Sequence, residues 1–509
     1  MNKKILSCVA LLALPLSCAV ISPALANKAN DTLVVAWPKE VPNIDAYFSD
    51  IIREGVVLNY YIWDTLVYRD PKTNKYVPLL ATSWKYENPT TIDFDLRHDV
   101  KFQNGQPFTA DDVVYTINWA VNPKSQVALP SYVDWIQKAE KLGKYKVRII
   151  TQRPFPPALE YLADVIPIYP HEYHAKVGPE GFALHPIGTG PYKVTKVVPG
   201  TEVDLVKNDD YFSGSPKGKP HIGNIVMRVI PDRSTEIADL ISGQVDWIYQ
   251  VPIDQAEKLR TIPNITVKTA GAFRFGYLTM DAAGRTGKDN PFTKLKVRQA
   301  VSYAVDRQTI VDSLVKGVSK VINSVCSPMQ VGCTEDVMKY HYDPAKAKEL
   351  LAEAGYPHGF TTEFYAYREP EYAQAMMGYL NAVGIETRFQ QLQYSALRDK
   401  MRSGKVPFAF MTWGSNSIGD ISAGTSAFFE GQPDDMARDP KVEALLKEAD
   451  FTVDKTKRDA LYKQALQSIA QQAYWLPLFT YSINYAFNKD LDWTPTDDEV
   501  FRLFQAKWK

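Results

Sequence analysis

The chain has 509 residues, 45% hydrophobic and 23% charged, ordinary values for globular protein, and its length calls for more than one core, because single cores rarely grow past about 250–300 residues. Lys plus Arg number 58 and so do Asp plus Glu, so the basic excess of a nucleic-acid binder is missing. Aromatic residues reach 12%, which suits either a large core or pockets that stack on small molecules.

The first residues read as an address. Lys3 and Lys4, an apolar run from Ile5 to Ile21 and the small residues of Ala24-Leu-Ala26 make a secretory signal with cleavage expected after Ala26. The run is short and interrupted by Pro15, which argues against a membrane span. A lipid anchor on Cys18 is the lesser alternative, since Pro15 stands where lipoprotein signals usually carry Leu. The expected location is therefore the periplasm. The mature chain keeps Cys326 and Cys333, read as a disulfide worth about 2–3 kcal/mol in an oxidising compartment. Two free thiols are the alternative, and without a nearby His the pair makes a poor zinc site.

Along the chain, Thr32–Ala36 is a short β-branched strand. Asp93–Arg97 and Lys144–Thr151 alternate like half-buried strands. Between them Asn104-Gly105 marks a turn, and Thr109-Ala-Asp-Asp-Val113 a helix start with acids in its first turn. Ile187-Gly-Thr-Gly-Pro-Tyr192 is turn chemistry, where the chain is expected to change direction or domain. From Val297 to Val315 apolar residues recur at helical spacing, one helix or two ended by Gly317. Asp343 and Pro344 open a helix stopped at Gly355; Asp439-Pro440 opens another, and Lys455–Ala473 is a third. The alternation of strands and helices gives an α/β class with mixed sheets.

Motifs for catalysis are missing. There is no G-x-x-x-x-G-K-[ST] loop and no G-x-S-x-G elbow. His171 and His174 lack H-E-x-x-H spacing and read as a surface helix start; Asp111-Asp112 and Asp434-Asp435 read as solvated or capping acids. Neither a cofactor nor a metal is expected.

Four stretches occur in order: "LRHDVKFQNGQPFTADDVVYTI" (96–117), "PIGTGPYKV" (186–194), "FTKLKVRQAVSYAVDRQTIVDSLVKG" (292–317) and "YDPAKAKELLAEAGYPHGF" (342–360). Together they resemble solute-binding protein family 5 of ABC importers, the dipeptide, oligopeptide, nickel and opine branch. The resemblance implies the two-lobed periplasmic binding protein fold with a hinge and an extra domain (cluster C type). It places a signal peptide at 1–26, domain I at 27–68, 187–281 and 481–509, domain II at 69–186 and domain III at 282–480. It also implies a monomer, not an enzyme, that closes on a small-molecule ligand and hands it to an inner-membrane ABC permease.

Peptide-binding relatives carry a Gly-Asp whose carboxylate takes the ligand's amino terminus, and Gly419-Asp420 in "MTWGSNSIGD" falls at that place. Their Gly-Asp-Pro-Asp is here Gly-Asp-Ile-Ser422, so the second acid is absent. Asp420 is expected to accept from an ammonium, with Trp413 as a flat wall and Asn416 in the same loop. A helix cap for Asp420 and core packing for Trp413 are the alternatives. Tyr365, Arg368 and Arg274 are further expected ligand contacts, the arginines as carboxylate partners, with a surface charge as the alternative for Arg274. The Arg that nickel-complex binders place ahead of the Pro of Val165-Ile-Pro167 is absent. The leading reading is a receptor for a di- or oligopeptide or an opine-like conjugate. A sugar receptor of the same fold, a chaperone-like role and, from another class, a secreted hydrolase are the alternatives.

Overall fold

The computed structural model describes residues 28–41, 43–49, 53–414 and 418–509. The expected signal, Cys8, Cys18 and Asn416 lie outside the described residues. Among those described, no helix is long and apolar enough to cross a membrane.

Ten strands form one mixed sheet, in the spatial order Ile385–Gln391, Phe360–Ala366, Phe408–Trp413, Ile265–Met280, Trp475–Asn488, Trp247–Tyr249, Thr32–Trp37, Asn224–Val229, Glu202–Lys207 and Tyr192–Val198. The two central strands are long, 16 and 14 residues, and serve both halves. Ile265–Gly271 pairs with Ser482–Asn488 on the side of Trp247–Tyr249, and Phe275–Met280 pairs with Phe408–Trp413 on the other. One half of the sheet, with the four-stranded antiparallel sheet of Ala81–Asn88, Thr91–Leu96, Lys146–Thr151 and Ile136–Gly143, builds the first lobe. The other half, with the helices of the second half of the chain, builds the second. The expected two-lobed α/β architecture is the one observed.

The expected strand at Thr32 extends to Trp37 and is buried on both faces, as its unbroken apolar run requires of a parallel strand inside a sheet. The alternation expected over Asp93–Arg97 holds from Phe94 to Arg97 and breaks at Asp93. Asp93 is itself buried, because Arg148 on the neighbouring strand grips its carboxylate at 2.7 and 2.9 Å. Thr109 forms a capping box with Asp112, and Asp343 and Asp439 accept from the first-turn amides of their helices. The stretch from Val297 to Val315 is not one helix: Leu295–Ala304 stops at Val305, Asp306 caps a short turn from Arg307, and a wide turn follows over Val311–Val315. At the Ile187 turn, a Cβ on Gly188 would lie 1.9 Å from the Ile62 carbonyl oxygen, so only glycine lets the chain cross its own backbone there.

Of the acids read as solvated or capping, Asp112 caps as expected, and Asp434 is neither, being buried in ion pairs. Asp112 caps its helix and pairs with His171 at 2.7 Å; Asp434 binds Arg398 and Arg402. The reading of His174 as a surface residue is corrected. It is buried against Trp119, Tyr169 and Phe182, with Tyr115 Oη 2.8 Å from Nδ1. Burial pushes its pKa down to about 4. Among the described residues no group of three or more His, Cys, Asp and Glu could hold a metal.

Candidate functional site

The site forms where the two long strands cross from one lobe to the other. Gly271 pairs with Ser482, yet the next pair is Phe275 with Thr480. Ala272, Phe273 and Arg274 therefore bulge out opposite the single residue Tyr481. A bulge re-aims side chains that a regular ladder would place on one face or the other. Phe273 is thereby brought under the guanidinium of Arg69 from the first lobe, 5.4 Å from its ring centre. Arg274 is brought to the end of strand Phe408–Trp413. Its Nη1 donates to Thr412 Oγ1 at 3.3 Å, its one hydrogen bond among the described residues. The Thr412 hydroxyl is in turn bonded to Tyr367. A Cβ on Gly414 would come within 3.0–3.5 Å of Arg274 Nη2, Cζ and Nη1, so glycine there lets the guanidinium lie on the backbone. The remaining guanidinium N–H groups, in a planar fork that fits a carboxylate, meet no acceptor among the described residues.

Trp413 is half-buried, with Phe428 6.3 Å away edge-on. Its Nε1 lies over Gly424, where a Cβ would be 2.4 Å off, and that buried N–H donates to no described residue. Arg274 thus sits at the end of strand Phe408–Trp413 with donors that meet no described residue, whereas the Trp413 N–H is buried over Gly424.

Asp420 has a different environment from the one expected. It is 4% exposed, and Arg458 binds it with Nη1 on Oδ2 at 2.8 Å and Nη2 on Oδ1 at 2.9 Å. Ser422 adds its amide at 3.0 Å and its hydroxyl at 2.7 Å. Three of these four donors meet Oδ1 and one meets Oδ2, so the carboxylate is held almost wholly by its own lobe. Burial pulls against the Arg458 charge, but the Asp420 carboxylate outweighs it and the guanidinium's pKa is raised. Arg458 also donates to Tyr462, which donates to Asp450 at 2.6 Å. The carboxylate holds the loop to the helix Lys455–Gln471.

The disulfide braces the same loop. Cys326 and Cys333 are bonded, and within their loop Val331 N–H donates to Gly419 O at 2.7 Å while Ile421 N–H donates to Val331 O at 3.1 Å. Gln330 Nε2 reaches the carbonyls of Ile418 and Asp420.

The two remaining expected contacts diverge. Tyr365 is buried in the core of the second lobe. Arg368 is half-exposed, paired with Glu369 and stacked near the rings of Tyr367 and Tyr481. Glu369 has φ of 43° and accepts from Tyr481 Oη at 3.0 Å, so this pair ties the second lobe to a hinge strand. Sequence reasoning missed Tyr367, Thr412 and the two seats Gly414 and Gly424. The Trp-Gly dipeptide was the available sign of the first seat.

Residues 75–436 match the family described as bacterial extracellular solute-binding proteins, family 5. The chain belongs to this family. Heme-binding protein A of Haemophilus influenzae is 27% identical over 86% of this chain and 85% of its own. Glutathione-binding protein GsiB of Salmonella paratyphi A is 27% identical over 92% of both. The structure of HbpA2 from Haemophilus parasuis superposes with a TM-score of 0.81 at 25% identity, covering 94% of this chain and 100% of that one. This solute-binding protein is the extracytoplasmic receptor component of an ABC importer, a transport protein and not an enzyme. It takes up a small molecule and delivers it to the permease. Physically, closure must replace the solute's water with fixed polar partners, because an unpaired group in the closed seam costs several kcal/mol.

Proposed function

We propose that the solute is a di- or oligopeptide or an opine-like amino-acid conjugate, with Arg274 taking a carboxylate and Trp413 walling an apolar portion. The guanidinium donors of Arg274 that meet no acceptor among the described residues carry this reading. A planar donor pair left free beside an indole favours a planar anion attached to an organic body. Two relatives are named for glutathione and heme, both of which carry carboxylates, and the first is a peptide. Asp420 enters the reading as the anchor of the loop, since Arg458 already occupies it. Arg368 sits farther out as a second positive charge. The protein acts as a periplasmic monomer exported by its cleaved signal, with the three domains divided as the family resemblance implies; the four-stranded sheet, Ala81 to Thr151, falls inside the proposed domain II.

A thermal-shift panel tests the solute. Glutathione, several dipeptides, their C-terminally amidated forms and free sugars are added to protein stripped of co-purified molecules. Ligand at a hundred times its Kd stabilises by about 2.7 kcal/mol. The free acids should raise Tm, the amides should do so far less, and Arg274→Ala should abolish the difference while Arg274→Lys keeps part of it. Equal shifts with acids and amides, or shifts with sugars alone, would overturn the proposal.

A further inference from the structure

We propose that Glu160 and Gly419 form a latch that holds the two lobes shut without help from a solute. Glu160 lies on the helix Ala158–Asp164 of the first lobe, and its side chain is 1% exposed. Within its own lobe it is bound by Arg69 Nε at 3.2 Å and by Tyr76 Oη at 2.8 Å. The same carboxylate accepts the backbone N–H of Gly419, which belongs to the loop of the second lobe. This bond crosses the seam.

Gly419 fits no other purpose as well. It is not among the glycines with positive φ, so its backbone would accept a side chain. Its surroundings would not: a Cβ would lie 2.9 Å from Glu160 Oε1 and 3.5 Å from Arg69 Nη1. The glycine is there so that a peptide bond can meet a carboxylate.

Both partners arrive prepared. A bare carboxylate would be costly to bury, but Glu160 comes already paired with Arg69. The Gly419 amide is held by its neighbours, through Val331 on its carbonyl and Arg458 on Asp420. Closing exchanges two hydrated groups for one charge-assisted bond between groups that need little further ordering. A second contact lies on the same seam, the Arg153 guanidinium 4.5 Å over the Phe451 ring. Glu160 is thus a positioning residue for capture: it touches no solute and biases the open–closed equilibrium that any solute must shift.

The test needs no solute, so its outcome is independent of the peptide reading. Spin labels go on Lys138→Cys and Lys441→Cys, exposed positions of the first and second lobes; the native pair Cys326–Cys333 is oxidised and does not label. The protein is unfolded and refolded to strip bound molecules, and the interspin distance distribution is measured by pulsed electron resonance. The parent should show a dominant short distance, and Gly419→Ala a shift of population to a longer one. Glu160→Gln keeps the side-chain length but removes the charge, and should fall between them. Near-UV circular dichroism checks each variant's packing; if Gly419→Ala packs poorly, Glu160→Gln decides alone. A parent distribution that is already long, or variants that leave it unchanged, would overturn the latch.

Discussion

Glu160 and Asp420 are two buried carboxylates on opposite sides of one seam, each gripped by an arginine of its own lobe: Arg69 at 3.2 Å in one case, Arg458 at 2.8 and 2.9 Å in the other. Asp420 gives all four of its hydrogen bonds among the described residues, three on Oδ1 and one on Oδ2, to its own lobe. Glu160 keeps one direction for the other lobe, through Gly419. The difference teaches that burial and charge do not mark a residue as a contact for something else. What marks it is bonding capacity left over after its own lobe is served, and by that measure Arg274 and Glu160 are the outward-looking groups of the seam.

The comparison breaks most visibly if Asp420 loses its partner. Arg458→Met strands a buried charge, and denaturant unfolding should show a loss of about 3–5 kcal/mol; a loss under about 1 kcal/mol would mean that water reaches the pair. On the Glu160 side, pH provides the lever. Asp164, on the same helix, has its pKa raised to about 6 by burial and then by the nearby Glu160 charge. The folded state therefore holds a proton that the unfolded chain releases near pH 4. That stability is fully present below about pH 4 and lost as pH rises through 6. Asp164→Asn, which keeps an acceptor for Tyr60, should match the parent near pH 4 and exceed it by up to about 3 kcal/mol at pH 8. A gap that does not widen with pH removes the argument.

Two smaller effects sharpen the contrast. Replacing Cys326 and Cys333 by Ser should lower stability by about 2–3 kcal/mol, and amide exchange at Val331 and Ile421 should rise more than in the first lobe. Protection unchanged at those amides would show that the disulfide does not brace the Asp420 loop. Tyr76→Phe removes one bond from Glu160 and should cost about 1 kcal/mol in denaturant unfolding, the smallest effect of the four.

Much of the fold was legible. Four ordered stretches pointed to the family, and the helix starts at Asp343 and Asp439 follow from side chains that cap their own amides. The site was legible only in outline. "GAFRF" reads as a strand running on, because nothing in residue type betrays that Ala272, Phe273 and Arg274 oppose one residue. Arg458 stands 38 positions beyond Asp420 on a helix whose charges look solvated, so local pattern could not join them. Glu160 belongs to no motif that the sequence offers, and its partners Arg69, Tyr76 and Gly419 are all remote in the chain. His174 looked like a surface residue because its cage is drawn from Trp119, Tyr169 and Phe182, only the last on its own helix.

Because the two lobes share a single ten-stranded sheet, they cannot swing like plates on a cord. The ladder that joins them is thinnest at the three residues between Gly271 and Phe275. Flexing of that leaf spring would rotate Arg274, which rides on it. If Arg274 takes the solute's carboxylate as proposed, grip and gape become one movement, and opening would turn the anion fork away from what it held.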